Sequence, residues 1–175
     1  MSPIADARLL AQLTATSDGF LRSVEMVAPD RWSYTPAPEV WSVEQIAEHT
    51  TAVFRGVQRL LSEKLLAQPI PAGATRVTDD FIVRSMSDRS RRISAPDAVR
   101  PRGRWSTREE MVATFVESRE LLITWSGQIT VDLREYGASH MVMGLLDGVQ
   151  WLLFAAAHTE RHTRQILELR QTAGF

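Results

Sequence analysis

The period of its apolar residues constrains most what this 175-residue chain can fold into: four stretches repeat every three to four residues, and none alternates in twos for long. In the first, Leu9, Leu13, Phe20, Val24 and Val27 align, with Leu10 and Leu21 widening the stripe, which predicts an amphipathic helix over residues 4 to 27 in spite of Gly19. Pro36 and Pro38 interrupt helix in the aromatic connector that follows. Ser42, with Gln45 three residues on, reads as a capping box, and Ile46, Val53, Val57, Leu60 and Leu61 carry a second helix to about residue 67. A third begins at Ser106 or Thr107, each followed three residues later by a glutamate, and turns Met111, Phe115, Leu122 and Trp125 inward. The last has Asp147 as its cap and Gln150 at the third position, runs through Gln171, and meets a stop at Gly174. The one weak strand candidate is ITVDL, residues 129–133.

Four long helices predict an all-α protein, a four-helix bundle forming one domain over residues 1–175, in which polar sites are built from side chains facing the bundle axis. Between the second and third helices, residues 68–105 break into prolines, arginines and short polar runs, with at most a brief helix around Asp79 to Asp88. This is a long crossover, expected to be partly ordered, of a kind that often lies over a functional site. Residues 126–145 form a second, shorter connector.

Composition removes several function classes. Twenty Lys and Arg against 21 Asp and Glu leave a formal charge of -1, which gives no field favouring nucleic acid or an anionic membrane as partner. Cysteine is absent, so any metal must be held by imidazole and carboxylate. The first residues, interrupted by Asp6, Arg8 and Asp18, lack a signal-like apolar segment. The longest purely apolar run, Trp151 to Ala157, falls far short of the ~20 residues a spanning helix needs. The expected location is the cytoplasm.

Chemistry concentrates in the last helix, where the sequence reads H-T-E-R-H. At helical spacing Trp151, Phe154, Ala155, His158, His162, Gln165 and Leu169 fall within roughly 60° of one direction, so both imidazoles share the core-facing side. Glu160 and Arg164 point outward, and the motif is not the H-E-x-x-H of metalloproteases, because its glutamate does not directly follow the first histidine. The plain alternative is a pair of buried neutral histidines bonded to neighbours; two rings able to converge on one point favour a metal. A third ligand is His49 on the second helix, beside the small Ala52 and Gly56. Three neutral histidines make a facial nitrogen set suited to zinc, nickel, iron, cobalt or manganese, with positions left open for water or substrate. His140, in the second connector, stays outside this set, and Gln165 reads as a core-edge glutamine rather than a partner of His162. Glu44 and Glu48 are not oriented towards His49. Arg119 reads as a border arginine with its head in water, and the run RSRRISAPDAVRPRGR as a solvated loop rather than an anion clamp.

The segments WSVEQIAEHT and GLLDGVQWLLFAAAHTERHTRQILEL resemble the DinB-like family, the helical bundles that include YfiT-type proteins and relate to bacterial thiol transferases and mycothiol-dependent isomerases. The first carries Trp41, Ser42 and His49; the second carries Gly148 (or Gly144), Trp151, Phe154, His158, His162, Gln165 and Ile166. The resemblance implies a bundle with a divalent metal, zinc or nickel foremost, on His49, His158 and His162, frequently as a homodimer. In a few members it implies transfer or isomerisation with a low-molecular-weight thiol. The expected function is therefore metal-dependent transfer of such a thiol to an electrophilic small molecule, with no catalytic residue assigned beyond the ligands. The alternatives are a non-catalytic metal- or ligand-binding bundle, such as a stress-response or sensor protein, and a metal-dependent hydrolase.

Overall fold

A computed structural model describes residues 7–90 and 93–175. Residues 4–6 of the expected first helix, and Arg91 and Arg92 of the arginine-rich run, lie outside the described residues. Helix α1 spans Ala7–Glu25 and α2 spans Val43–Arg59. The latter starts on the expected capping box: Ser42 accepts from Gln45 N while the Gln45 side chain accepts from Ser42 N. It runs on through a π-type turn, Leu60–Lys64, and a 3-10 turn, Leu65–Ala67, so it ends where expected but with its last turns distorted. Helix α3 is Asp79–Ser87 and α4 is Arg108–Gln128, the latter capped by Thr107 rather than Ser106. Helix α5, Gly148–Leu169, carries the second capping box, with Asp147 and Gln150 as its two halves.

The expected all-α bundle is the fold. Helix α1 packs along α5, α5 against α2, α2 against α4, and α4 against α1, which closes the ring of four. At its centre Phe115 stacks between Phe20 and Phe54, with ring centroids 4.6 and 4.8 Å away. Leu13, Ile46, Leu122 and Leu152 are fully buried around them. Trp125, expected inside, is only half-buried, and Phe54, which the α2 stripe omitted, is. Helix α5 is buried on nearly every side as far as Thr159, as befits an element touched by α1, α2 and α3.

The second connector corrects one expectation. ITVDL is not a strand: Ile129 caps α4, and the Asp132 side chain accepts from Arg134 N at 2.8 Å to start a 3-10 turn, Leu133–Glu135. The strands are instead β1, Gly137–His140, and β2, Gly144–Asp147, an antiparallel hairpin pairing His140 with Gly144. Gly144 adopts φ +74°, which a side chain would resist, and so lets the chain turn back into β2. Gly148 is required for closeness, since a Cβ there would lie 2.7 Å from Leu65 Cδ2.

The described residues of the crossover include one helix, α3, and are laced to the bundle. Arg134 pairs with Asp79 at the start of α3 and with the buried Asp147, which Arg76 also reaches. Gln150 donates to Val77 O and Asp79. Near its other end the carboxylate of Glu48 on α2 accepts from the backbone N–H groups of Arg102, Gly103 and Arg104 at 2.8–3.2 Å and from the Arg104 guanidinium at 2.6 Å. Arg108 then donates to Val24 O and Val27 O, closing the C-terminal end of α1. Among the described residues no helix is long and apolar enough to cross a membrane.

Candidate metal centre

The spacing that put His158 and His162 on one face of α5 brings both rings inward, and α2 delivers His49 to meet them; all three are buried. His158 Nε2 lies 3.2 Å from His49 Nε2 and 3.2 Å from His162 Nε2. The outer nitrogens are fixed. His49 Nδ1 donates to Val99 O at 2.9 Å and His162 Nδ1 to Gln165 Oε1 at 2.8 Å. Because both partners are acceptors, the ring proton sits on Nδ1 in each case and the Nε2 lone pair faces the shared point.

The donor set fits a divalent cation. Three nitrogens each about 2.0–2.1 Å from one centre, at angles between octahedral and tetrahedral, stand about 2.8–3.4 Å apart; the two separations from His158, both 3.2 Å, fall in that range, and all three ligand atoms lie within 4.8 Å of one another. Lone pairs packed this closely away from water gain nothing from one another unless a cation or shared proton lies among them. Burial pushes the His158 pKa well down, with the neighbouring histidines adding to it, and pushes His162 down to about 3. His49 is also lowered by burial, against the raising effect of its bond to Val99. All three rings are thus neutral near pH 7, the state in which imidazole ligates a metal.

The three histidines border a cavity of about 1010 Å³. Val53 and Gly56 of α2, with Leu60 of the π-type turn that follows, form one side, and Gly56 has open space where a side chain would stand. Only Gly56 of the two small residues expected beside His49 lines it. Residues 93–96 and 98–100 of the crossover form another side, and Trp151 and Phe154 the third. Exposed Ile93, Met141 and Val142 mark the rim. The long crossover therefore does lie over the three histidines, and it touches His49 directly through Val99.

Two side chains do more than their sequence reading allowed. Gln165 orients His162 rather than merely edging the core. Glu48, which indeed does not face His49, holds the crossover that orients it; burial alone would raise its carboxyl, but three backbone N–H groups and Arg104 keep it below the usual range. The signal was visible only as a carboxylate on the inward side of a helix. His140 also borders the cavity but is not among the three convergent rings. Arg119, half-buried at the edge of α4, pairs with the partly exposed Asp18 of α1 at 2.7 Å and is not among the residues that line the cavity. In the arginine-rich run, Arg89 pairs with Glu168, Arg100 with Asp97 and Arg104 with Glu48. Glu160 and Arg164 pair with each other on the outer side, as expected.

The family model described as the DinB superfamily matches residues 12–166. Uncharacterized protein YuaE of Bacillus subtilis (strain 168) is similar, at 21% identity over 145 residues, which cover 83% of this chain and 86% of that protein. No solved structure matches the chain.

Proposed function

This chain belongs to the DinB superfamily, and from that premise we propose that it is a divalent-metal-dependent enzyme that transfers a low-molecular-weight thiol to an electrophilic small molecule. His49, His158 and His162 hold the ion, zinc or nickel before iron, cobalt or manganese. The observation that carries the reading is the convergence of three neutral imidazoles at the wall of a large, mostly apolar cavity. A cation held by these histidines would supply Lewis acidity, which would lower the pKa of a thiol or water bound to it.

The chain's own residues supply the rest. Val99 O and Gln165 keep the two outer rings turned inward, and the apolar walls exclude water from an acceptor lying beside them. Thiol transfer is favoured over hydrolysis because hydrolysis needs a general base. Glu48 is spent on the crossover, Glu168 is paired with Arg89, and Glu39 sits at the exposed rim. A cytoplasmic location and, by resemblance to the family, assembly as a homodimer belong to the same reading.

The test is thiol consumption by metal-loaded protein in the presence of an electrophilic acceptor. Turnover is expected in the wild type and should be lost, together with the metal, in His158→Ala. Turnover that survives that substitution removes the histidine centre from the reaction. A protein that binds metal yet consumes neither thiols nor hydrolytic substrates is a binding bundle instead.

A further inference from the structure

His140 ends β1, and its ring packs against Trp151 and Phe154, with centroids 5.4 and 4.7 Å away. Phe154 in turn stacks on His158 at 5.2 Å, so one ring separates His140 from the three histidines. The tautomer of His140 is set by its own hairpin. Its Nδ1 accepts from Val142 N and Met143 N, both at 3.2 Å, and so carries no proton. In the neutral ring the proton is on Nε2, which has no protein partner among the described residues and is not among the sealed, unpaired polar atoms. The space this ring borders is the cavity. Of the three rings on this wall, Trp151 spends its N–H on Ala138 O and Phe154 has none, so the donor falls to His140. Burial also lowers its pKa, in keeping with a neutral ring that donates from one fixed nitrogen.

We propose that His140 is the specificity-determining donor of this cavity, and that its ligand is an apolar small molecule bearing a carbonyl oxygen, held by Trp151 and Phe154 with that oxygen on His140 Nε2–H. The chemistry rests on the thiol-transfer reading; the binding does not. In the reaction that suits such a ligand, a thiolate adds to an α,β-unsaturated carbonyl compound. A sulfur–carbon bond forms at the β carbon, the C=C π pair shifts to make an enolate, and water returns to the α carbon the proton that the thiol had released. Nothing is oxidised and no group leaves. The growing charge is on the carbonyl oxygen, where a preplaced neutral donor stabilises it without giving up its proton.

Acetophenone and α-methylstyrene, which differ by an oxygen against a methylene, are titrated into metal-loaded full-length wild type and His140→Asn. Asparagine can still accept from the two turn amides, preserving the hairpin, but is too short to place a donor where Nε2 sits. The ratio of the two Kd values is expected to shift against acetophenone by about tenfold in the variant, with metal affinity unchanged. An unchanged ratio overturns the proposal. A wild-type measurement covers failure of the variant to fold. The His140 Nε2–H proton, observed by 15N-edited NMR, should move downfield with acetophenone and not with α-methylstyrene; a proton found on Nδ1, or no movement, equally overturns it. An oxygen preference without thiol turnover leaves the donor standing and removes the transfer reading. Turnover without the preference does the reverse.

Discussion

Two acceptors decide how the histidines present themselves: Val99 O for His49 and Gln165 Oε1 for His162. Such partners fix the tautomer and ring angle of a ligand, and losing one commonly costs about 10- to 100-fold in metal affinity. Gln165→Leu should therefore weaken zinc or nickel binding by about that factor while the fold persists, read by competition with a chromophoric chelator; unchanged affinity would show that the His162 ring needs no such support. At this scale the sequence was legible wherever periodicity speaks. The i, i+4 spacing of His158 and His162 and the stripe that carries His49 told which rings face inward. Gln165 lay on the same face, but no spacing rule says what a glutamine oxygen touches. The role of Glu48 depends on a loop more than fifty residues away in sequence, at Arg102 to Arg104, which no local pattern could announce.

The short elements are held by charge rather than by a broad apolar face. Helix α3 buries Ile82 and Met86 against α5, and Asp79 in its first turn bonds to Arg134. That bond holds the Asp79 carboxyl below its ordinary value of 3.8, against the raising effect of burial. The folded state then binds fewer protons than the unfolded state near this pH, so the contribution is full above the unfolded pKa and is lost as pH falls through the lower folded one. Urea midpoints measured from about pH 5 down to about pH 2 should drop more steeply in the wild type than in Asp79→Asn. Parallel slopes would remove Asp79 from the acid limb. The helices were legible because each announces its own start: Ser42, Thr107 and Asp147 all cap as their sequences indicate. The hairpin was not. Gly-Ala-Ser-His and Gly-Leu-Leu-Asp are too short to show alternation, and their pairing depends on the turn at Gly144. ITVDL has the right residue types, but Asp132 uses its side chain to turn the backbone instead.

At the scale of the molecule, a ring of four helices around Phe20, Phe115 and Phe54 carries a cavity on one side, roofed by the crossover. Phe115→Ala should cost about 3–5 kcal/mol by calorimetry or denaturation, since it empties the centre of that stack; a loss below about 1 kcal/mol would mean that the core closes up around the gap. The bundle could be foreseen because apolar stripes on four helices can be buried together in few ways. The cavity could not. Val53 and Leu60 read as core residues, yet they line open space because Gly56 leaves a gap and the crossover stands off from it. Everything proposed for this space depends on an ion at the three histidines. The most direct measurement is X-ray absorption on untagged protein loaded with zinc. One ion per chain, with three imidazole nitrogens at about 2.0–2.1 Å and a further light ligand, is the expected result. Protein that takes up no zinc, or an ion whose shell lacks those histidines and is unaltered in His49→Ala, would contradict it.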